Sequence, residues 1–315
     1  MSDAMNVFDR SLVRRHRDRA AERIGDFSFL FDAVAQSMAD RLLDIARTFP
    51  TCLDLGSRGN ELADILAEKA DTGLLVRSDF SPAMAEAAQR GRSPRTVVAA
   101  DEEHLPFAAA SFELVTSNLN LHWTNDLPGA LIQIRQVLKP DGLFLGTMLG
   151  GETLHELRNA WLQAEIEQEG GASPRLSPLA DLRDAGALLQ RTGFALPVAD
   201  ADRITVSYPN ALKLMQDLRG MGETNAIHDR RRTLTRRATL FRAAEIYQEE
   251  YGDSEGRIAA TFDVLTLTGW APDASQQQPL RPGSARSRLA DALGVPERGT
   301  DDSTGLPISS RDKPD

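Results

Sequence analysis

Thr51-Cys52-Leu53-Asp54-Leu55-Gly56-Ser57-Arg58-Gly59-Asn60 opens as a short apolar strand and closes as a glycine-containing turn. Glu61 to Ala70 then sets Leu62, Ile65 and Leu66 at helical spacing, which completes a strand-loop-helix unit. The alternation returns at Gly73 to Asp79 with Pro82 to Gln89, at Thr96 to Ala100, at Phe112 to Ser117 with Leu127 to Leu138, and at Gly142 to Met148 with Glu152 to Glu167. Parallel neighbours need crossover connections, so this pattern predicts an α/β fold: a Rossmann-like, doubly wound, mostly parallel sheet with helices on both faces. Upstream, Phe27, Leu30, Phe31, Val34, Met38, Leu42 and Ile45 recur every three or four residues and predict a covering helix. Downstream, Val198 to Tyr208 and Ala259 to Trp270 read as an antiparallel closing pair. The largely helical Asn210 to Glu250 between them reads as an insertion, spanning about 209–257, able to lie over a pocket.

These readings divide the chain into a basic N-terminal helix (1–26), a core domain (27–270) and a tail (271–315) rich in Pro, Gln and Ser that is expected to be disordered. With 315 residues, 41% hydrophobic and 26% charged, the chain can bury a sizeable core. No apolar run approaches the ~18 residues that a membrane-spanning helix needs, so no integral membrane segment is expected. The single cysteine, Cys52, excludes an internal disulfide and a thiolate cluster for zinc, which fits a reducing compartment. A formal net charge of -10 has the wrong sign for nucleic acid.

Arg10, Arg14, Arg15, Arg17 and Arg19 give residues 6–21 the look of a transit segment, but Asp9 and Asp18 oppose that, and the segment is read as a solvated helix. A bacterial cytoplasmic location is the expectation. His16-Arg17-Asp18 has the local spacing of a metal-ligand pair without a second histidine, and no metal is expected. The cluster Arg230, Arg231, Arg232, Arg236, Arg237 and Arg242 would share a face if His228 to Arg242 were helical. A solvated helix is favoured over a docking face for an acidic protein.

Open α/β sheets bind ligands at the carboxyl ends of their strands, so the residues that follow each strand are the candidates. Gly56 lets a ligand approach the backbone where Asp54 and Ser57 flank the turn, at a helix start that favours an anion. Asp79 ends the second strand, where a carboxylate accepts from both ribose hydroxyls, with Phe80 beside it. Asp101-Glu102 follows the third strand within reach of a base edge, and Asn118 follows the fourth. A single acid after a strand is as often a turn residue or a helix cap; it is the register of several that carries weight. A nicotinamide dinucleotide would ask for G-x-G-x-x-G, and the loop has only Gly56 and Gly59, so an adenosyl ligand without phosphates is favoured.

At these residues the chain resembles the class I S-adenosylmethionine-dependent methyltransferases. Leu53-Asp54-Leu55-Gly56 looks like their glycine-rich first motif, Asp79-Phe80-Ser81-Pro82-Ala83-Met84 like their ribose turn, and Asp101-Glu102-Glu103-His104-Leu105-Pro106-Phe107 like their adenine-side motif. The resemblance covers roughly 27–270 and implies S-adenosylmethionine as cofactor, held by Asp54, Gly56, Ser57, Asp79, Phe80, Asp101, Glu102 and Asn118. Arg58 and Asn60 stand where the motif usually has glycine. A guanidinium there would either pair with the methionyl carboxylate or fill its place.

Leu121-His122-Trp123-Thr124-Asn125-Asp126-Leu127-Pro128-Gly129-Ala130 is similar to a segment of two families, the malonyl-acyl-carrier-protein methyltransferases of biotin synthesis and the arginine hydroxylases of complex I assembly. Met5 to Arg10, Gly150 to Arg158, Asp217 to Asn225 and Leu280 to Ala285 resemble the hydroxylases. That resemblance implies an enzyme acting on an arginine of the complex I iron-sulfur subunit. Methyl transfer to malonyl-acyl carrier protein is the alternative, and a non-catalytic assembly chaperone, prompted by Arg58 and Asn60, is the third reading. A cationic guanidinium wants carboxylates beside an apolar or aromatic surface, so His122, Trp123, Asp126, Glu152 and Glu156 are the candidate lining residues, with no catalytic base named. For Glu152 the competing reading is a solvent-facing acid; for His122 and Trp123 it is core packing.

Overall fold

The central strand β1 (Thr51–Leu55) buries all but its first residue, as a strand covered on both faces must. It pairs in parallel with β2 (Leu74–Asp79) on one side and with β4 (Phe112–Ser117) on the other. The remaining strands are β3 (Thr96–Ala99), β5 (Leu138–Leu149), β6 (Ala195–Tyr208) and β7 (Ile258–Trp270), in a seven-stranded sheet of order β3-β2-β1-β4-β5-β7-β6. β7 runs antiparallel to both β5 and β6, so the expected α/β class, mostly parallel with a closing strand, is the observed one. Strand order reverses between β1 and β4, and that switch point places the site.

The structure is a computed structural model and describes residues 6–69, 72–90 and 96–277, with residues 291, 293 and 294. The chain divides into two units, Met1–Ala274, which carries every named element, and Ser275–Asp315. Most of the expected tail lies outside the described residues.

Helices α1 (Arg10–Ala20) and α2 (Phe29–Leu43) precede the sheet. α3 (Glu61–Lys69), α4 (Pro82–Gln89), α5 (Leu127–Val137), α6 (His155–Glu169) and α7 (Leu182–Arg191) connect strands. α8 (Ala211–Gly220) and α9 (Arg237–Tyr251) lie between β6 and β7. Local signals set their ends: the Ser81 hydroxyl accepts from the Met84 amide with Pro82 at the first position of α4, and Asp126 caps α5 by accepting from the Gly129 amide at 2.9 Å.

Two expectations are corrected. The N-terminal helix is not solvated: Val13, His16, Arg17 and Ala20 of α1 are buried, Arg17 completely, because α1 lies across the ends of the strands, where carboxylates receive its guanidinium groups. The arginine cluster forms no basic helical face, since α9 begins only at Arg237. Arg230 pairs with Asp9 at 3.2 Å, Arg231 with Glu169, and Arg242 with Glu167 at 2.7 Å. Those contacts tie the insertion to α6 and to the N-terminus.

Candidate functional site

The loop after β1 folds back onto β2, the Gly56 and Ser57 amides both donating to the Ser78 carbonyl at 2.8 and 2.9 Å. Gly56 has a φ of +74°, and a Cβ there would run into the side chain of Asn120, so only glycine fits without strain. Asp54, Asp79 and Glu102, at the ends of β1, β2 and β3, are all buried. Asp79 accepts from the Ser81 amide at 2.6 Å with one oxygen, while its Oδ2 has no partner. Glu102 accepts from Arg10 at 3.2 Å and from the Asn120 amide at 3.3 Å through Oε1, and its Oε2 is likewise buried without a partner.

Two guanidinium groups from α1 meet these acids. Arg17 bonds to Asn120 and stands 3.6 Å from both Asp79 and Glu102. Arg10 reaches Asp101 at 2.5 Å while lying over the Phe80 ring at 4.3 Å. Burial pushes the Asp79 carboxyl up against the opposing pull of Arg17. For Glu102 burial also works upward, but Arg17 and Arg10 together outweigh it and hold the group below the usual carboxylate range. Asp101 keeps 26% of its side chain exposed, so Glu102, the next residue, supplies the inward carboxylate after β3.

A second polar knot joins this hollow to the helical insertion. Arg58, 3% exposed, pairs with Glu223 and lies over the Phe31 ring at 5.3 Å. The other oxygen of Glu223 takes the Trp123 indole N–H at 2.9 Å and meets His122 Nε2 at 3.1 Å. Burial opposes ionisation of Glu223, yet Arg58 and His122 hold it far below the usual carboxylate value; burial in turn lowers the pKa of His122 despite Glu223. Beyond this knot opens a cavity of about 610 Å³ between α6, α8 and residues 175–179. Eight leucines with Trp161 and Met215 make up most of the apolar part of its wall, charged side chains such as Arg158, Arg219 and Glu223 complete it, and its size falls among small-ligand sites.

Of the expected lining residues, His122 and Trp123 reach this cavity. Asp126 caps α5, and Glu152 is exposed in the turn before α6 rather than on the helix. Glu156 is buried against β7, accepting from the Thr261 hydroxyl at 2.5 Å. Of the expected cofactor residues, Asp54, Gly56, Ser57 and Asn118 border one small hollow, with the Asn118 amide donating to the Phe31 carbonyl at 2.9 Å. Sequence reasoning missed Arg10, Arg17, Asn120 and Glu223. The spacing of Arg10, Val13, Arg17 and Ala20 on one helix face was the available signal for the first two; Glu223 was marked only by its place in the 217–225 segment.

Residues 53–146 match a family described as a methyltransferase domain. The chain is 45% identical over 289 residues to the arginine-hydroxylase NDUFAF5, mitochondrial, of Danio rerio, covering 91% of this chain and 89% of that protein. The chain belongs to the arginine-hydroxylase family within the class I S-adenosylmethionine-dependent methyltransferases. A malonyl-[acyl-carrier protein] O-methyltransferase of Halorhodospira halophila is a more distant relative of this hydroxylase-family chain, 34% identical over 300 residues, 94% of this chain and 98% of that one. A putative methyltransferase of Bacillus halodurans shares the fold, with a TM-score of 0.52 at 16% identity over 75% of this chain and 99% of that one.

S-adenosylmethionine is the cofactor of this superfamily, and the donor and acceptor set of the hollow fits it. Oxygens of Asp79, Glu102, Ser78 and Ser117 near the strand ends are buried without hydrogen-bond partners, and the turn after β1 admits only glycine at position 56. Among the described residues no group of three or more His, Cys, Asp or Glu is arranged to hold a metal ion, and no helix is long and apolar enough to cross a membrane.

Proposed function

We propose that the protein hydroxylates an arginine of the complex I iron-sulfur subunit, in the bacterial cytoplasm, with S-adenosylmethionine bound in the hollow. Asp54, Gly56 and Ser57 would hold the methionyl end, Asp79 and Phe80 the ribose, Asp101 and Glu102 the adenine side, with Asn118 fixing α2 against the loop. In methyl-transferring members of the superfamily the bound group supplies an electrophilic methyl; here the residues are assigned only its binding.

One observation carries the reading. Three separate segments that resemble the hydroxylases come together at the cavity. Thr153, Leu154, Leu157 and Arg158 of the second segment and Leu218, Arg219, Glu223, Thr224 and Asn225 of the third line it. The first seats Phe8 edge-on against Trp123 at 5.3 Å and sends the Asp9 amide to the Ala226 carbonyl at 2.8 Å. The fourth segment, 280–285, lies outside the described residues. Glu223 already holds one guanidinium, that of Arg58, beside an aromatic ring, which is the environment a substrate arginine requires.

Mass spectrometry of the iron-sulfur subunit from a strain lacking this protein tests the reading: the arginine is expected to lose its added oxygen, and an undiminished modification overturns it. The same strain should grow without biotin. A biotin requirement would favour methyl transfer to malonyl-acyl carrier protein instead.

A further inference from the structure

The charge on the cavity wall is not what a lone guanidinium would select. Arg175 is neutralised by Glu165, 2.7 Å from its Nε, and stacks on Trp161 at 4.7 Å. Glu223 is taken up by Arg58, His122 and Trp123. Arg158 on α6 and Arg219 on α8 also line the cavity. Neither has a carboxylate partner among the described residues: Arg158 only donates weakly, at 3.4 Å, to the Thr153 carbonyl, and Arg219 is exposed. The cavity therefore offers an apolar interior, one carboxylate that already accepts a guanidinium, and two cations whose negative partners it does not supply.

Resting on the function proposed above, we infer that the cavity takes a peptide segment of the partner subunit in which the target arginine is flanked by an acidic residue and a large apolar one. The target guanidinium meets Glu223 where that carboxylate borders the cavity, beside the pair it already makes with Arg58. The apolar side chain enters between Trp161 and Leu157, and the acid faces Arg158 and Arg219. An arginine set among basic residues would bring like charge to those two cations and be rejected, which makes the pair an element of specificity as well as of attraction.

The test uses the full chain with S-adenosylmethionine and three short synthetic peptides. One carries an arginine between a leucine and an aspartate, a second has lysine in place of the aspartate, and a third has citrulline in place of the arginine. Binding is read by calorimetry and by tryptophan fluorescence, since Trp123 and Trp161 both border the cavity. The aspartate peptide should bind roughly tenfold more tightly than its lysine twin, the scale of one charge-assisted contact. The citrulline peptide should lose a similar factor. The double variant Arg158→Glu with Arg219→Glu should reverse the preference between aspartate and lysine. Because both positions reach solvent at the wall, an unchanged circular dichroism spectrum and melting curve are expected to accompany the reversal. Equal affinity for the two peptides, no binding of either, or an unreversed preference in the folded variant overturns the inference. If the variant does not fold, the single exchanges Arg158→Gln and Arg219→Gln must each narrow the preference, and failure to do so overturns it equally. Loss of the aspartate preference with hydroxylation of the partner intact removes this inference alone; an unmodified partner arginine in the wild-type strain removes the proposed function.

Discussion

The two chambers on either side of His122 and Trp123 are built on opposite principles. Toward the strand ends, buried acids meet buried guanidinium groups beside a small polar hollow. Toward the insertion, leucines and Trp161 line an open cavity of about 610 Å³. Charge held at low dielectric is specific but costly to disturb, whereas an apolar wall is tolerant and gives up only contact area. The polar chamber should accordingly fail sharply under substitution and the apolar one gradually.

Glu223 sits on the border, so its removal has the largest expected effect. Glu223→Ala leaves Arg58 buried without its anion and strips acceptors from Trp123 and His122; breaking a buried pair in this way costs about 3–5 kcal/mol. Urea unfolding would measure it. For contrast, Leu157→Ala, on the apolar wall, should cost about 2 kcal/mol, the low end for a buried leucine, because that side chain already borders empty space. If the two losses came out equal, the distinction between the chambers would not hold.

Cofactor affinity sharpens the contrast. Asp79→Asn should weaken S-adenosylmethionine binding at least tenfold, since a hydrogen bond to a charged group is worth about 1.5–3 kcal/mol. Trp161→Ala, across the partition, should leave that affinity within roughly twofold, an effect well under 1 kcal/mol. Calorimetry with both variants decides whether the hollow alone holds the nucleoside. Gly56→Ala should cost stability by about 1–2 kcal/mol from its left-handed backbone alone, and more from the clash with Asn120.

The two chambers also differed in legibility. The hollow was readable because a parallel sheet delivers the residues after successive strands to one edge, so Asp54, Asp79 and Glu102 announce themselves by register. Even there the choice between Asp101 and Glu102 was beyond reach, as adjacent residues turn to different sides and only burial, with Arg17 beside Glu102, settles which faces in. Reading residues 6–21 as a helix does not say what lies against it. Arg10 and Arg17 read as solvated because arginine on a helix face usually is; these two turn inward because acids following β2 and β3 wait for them. The cavity was unreadable for another reason. Its walls come from the turn after β4, the start of α6, residues 175–179 and α8, with no shared spacing, and Glu223 owes its role to partners 100 and 101 positions away in Trp123 and His122.

The smallest expected effect on stability concerns the outer side of the polar chamber. His16 of α1 is buried, and its Nδ1 lies 3.1 Å from the Thr224 carbonyl, to which it donates in the neutral form. Burial, reinforced by Arg19, lowers its pKa from 6.5 to about 4. In the unfolded chain the imidazole takes up a proton as pH falls through 6.5; in the folded chain it resists until about pH 4. Between these values the unfolded state binds more protons, so stability falls with acidification across that window and does not depend on this group above it. The loss should be on the order of 1 kcal/mol once solvent screening near the surface is allowed for, which lowers the melting temperature by a few degrees. His16→Gln keeps a donor for the Thr224 carbonyl and removes the titration. The difference between wild-type and variant melting curves should therefore be flat above pH 6.5 and change steadily below it. A difference independent of pH would mean that His16 is not held neutral, and that α1 is looser over the acids than Arg17 makes it.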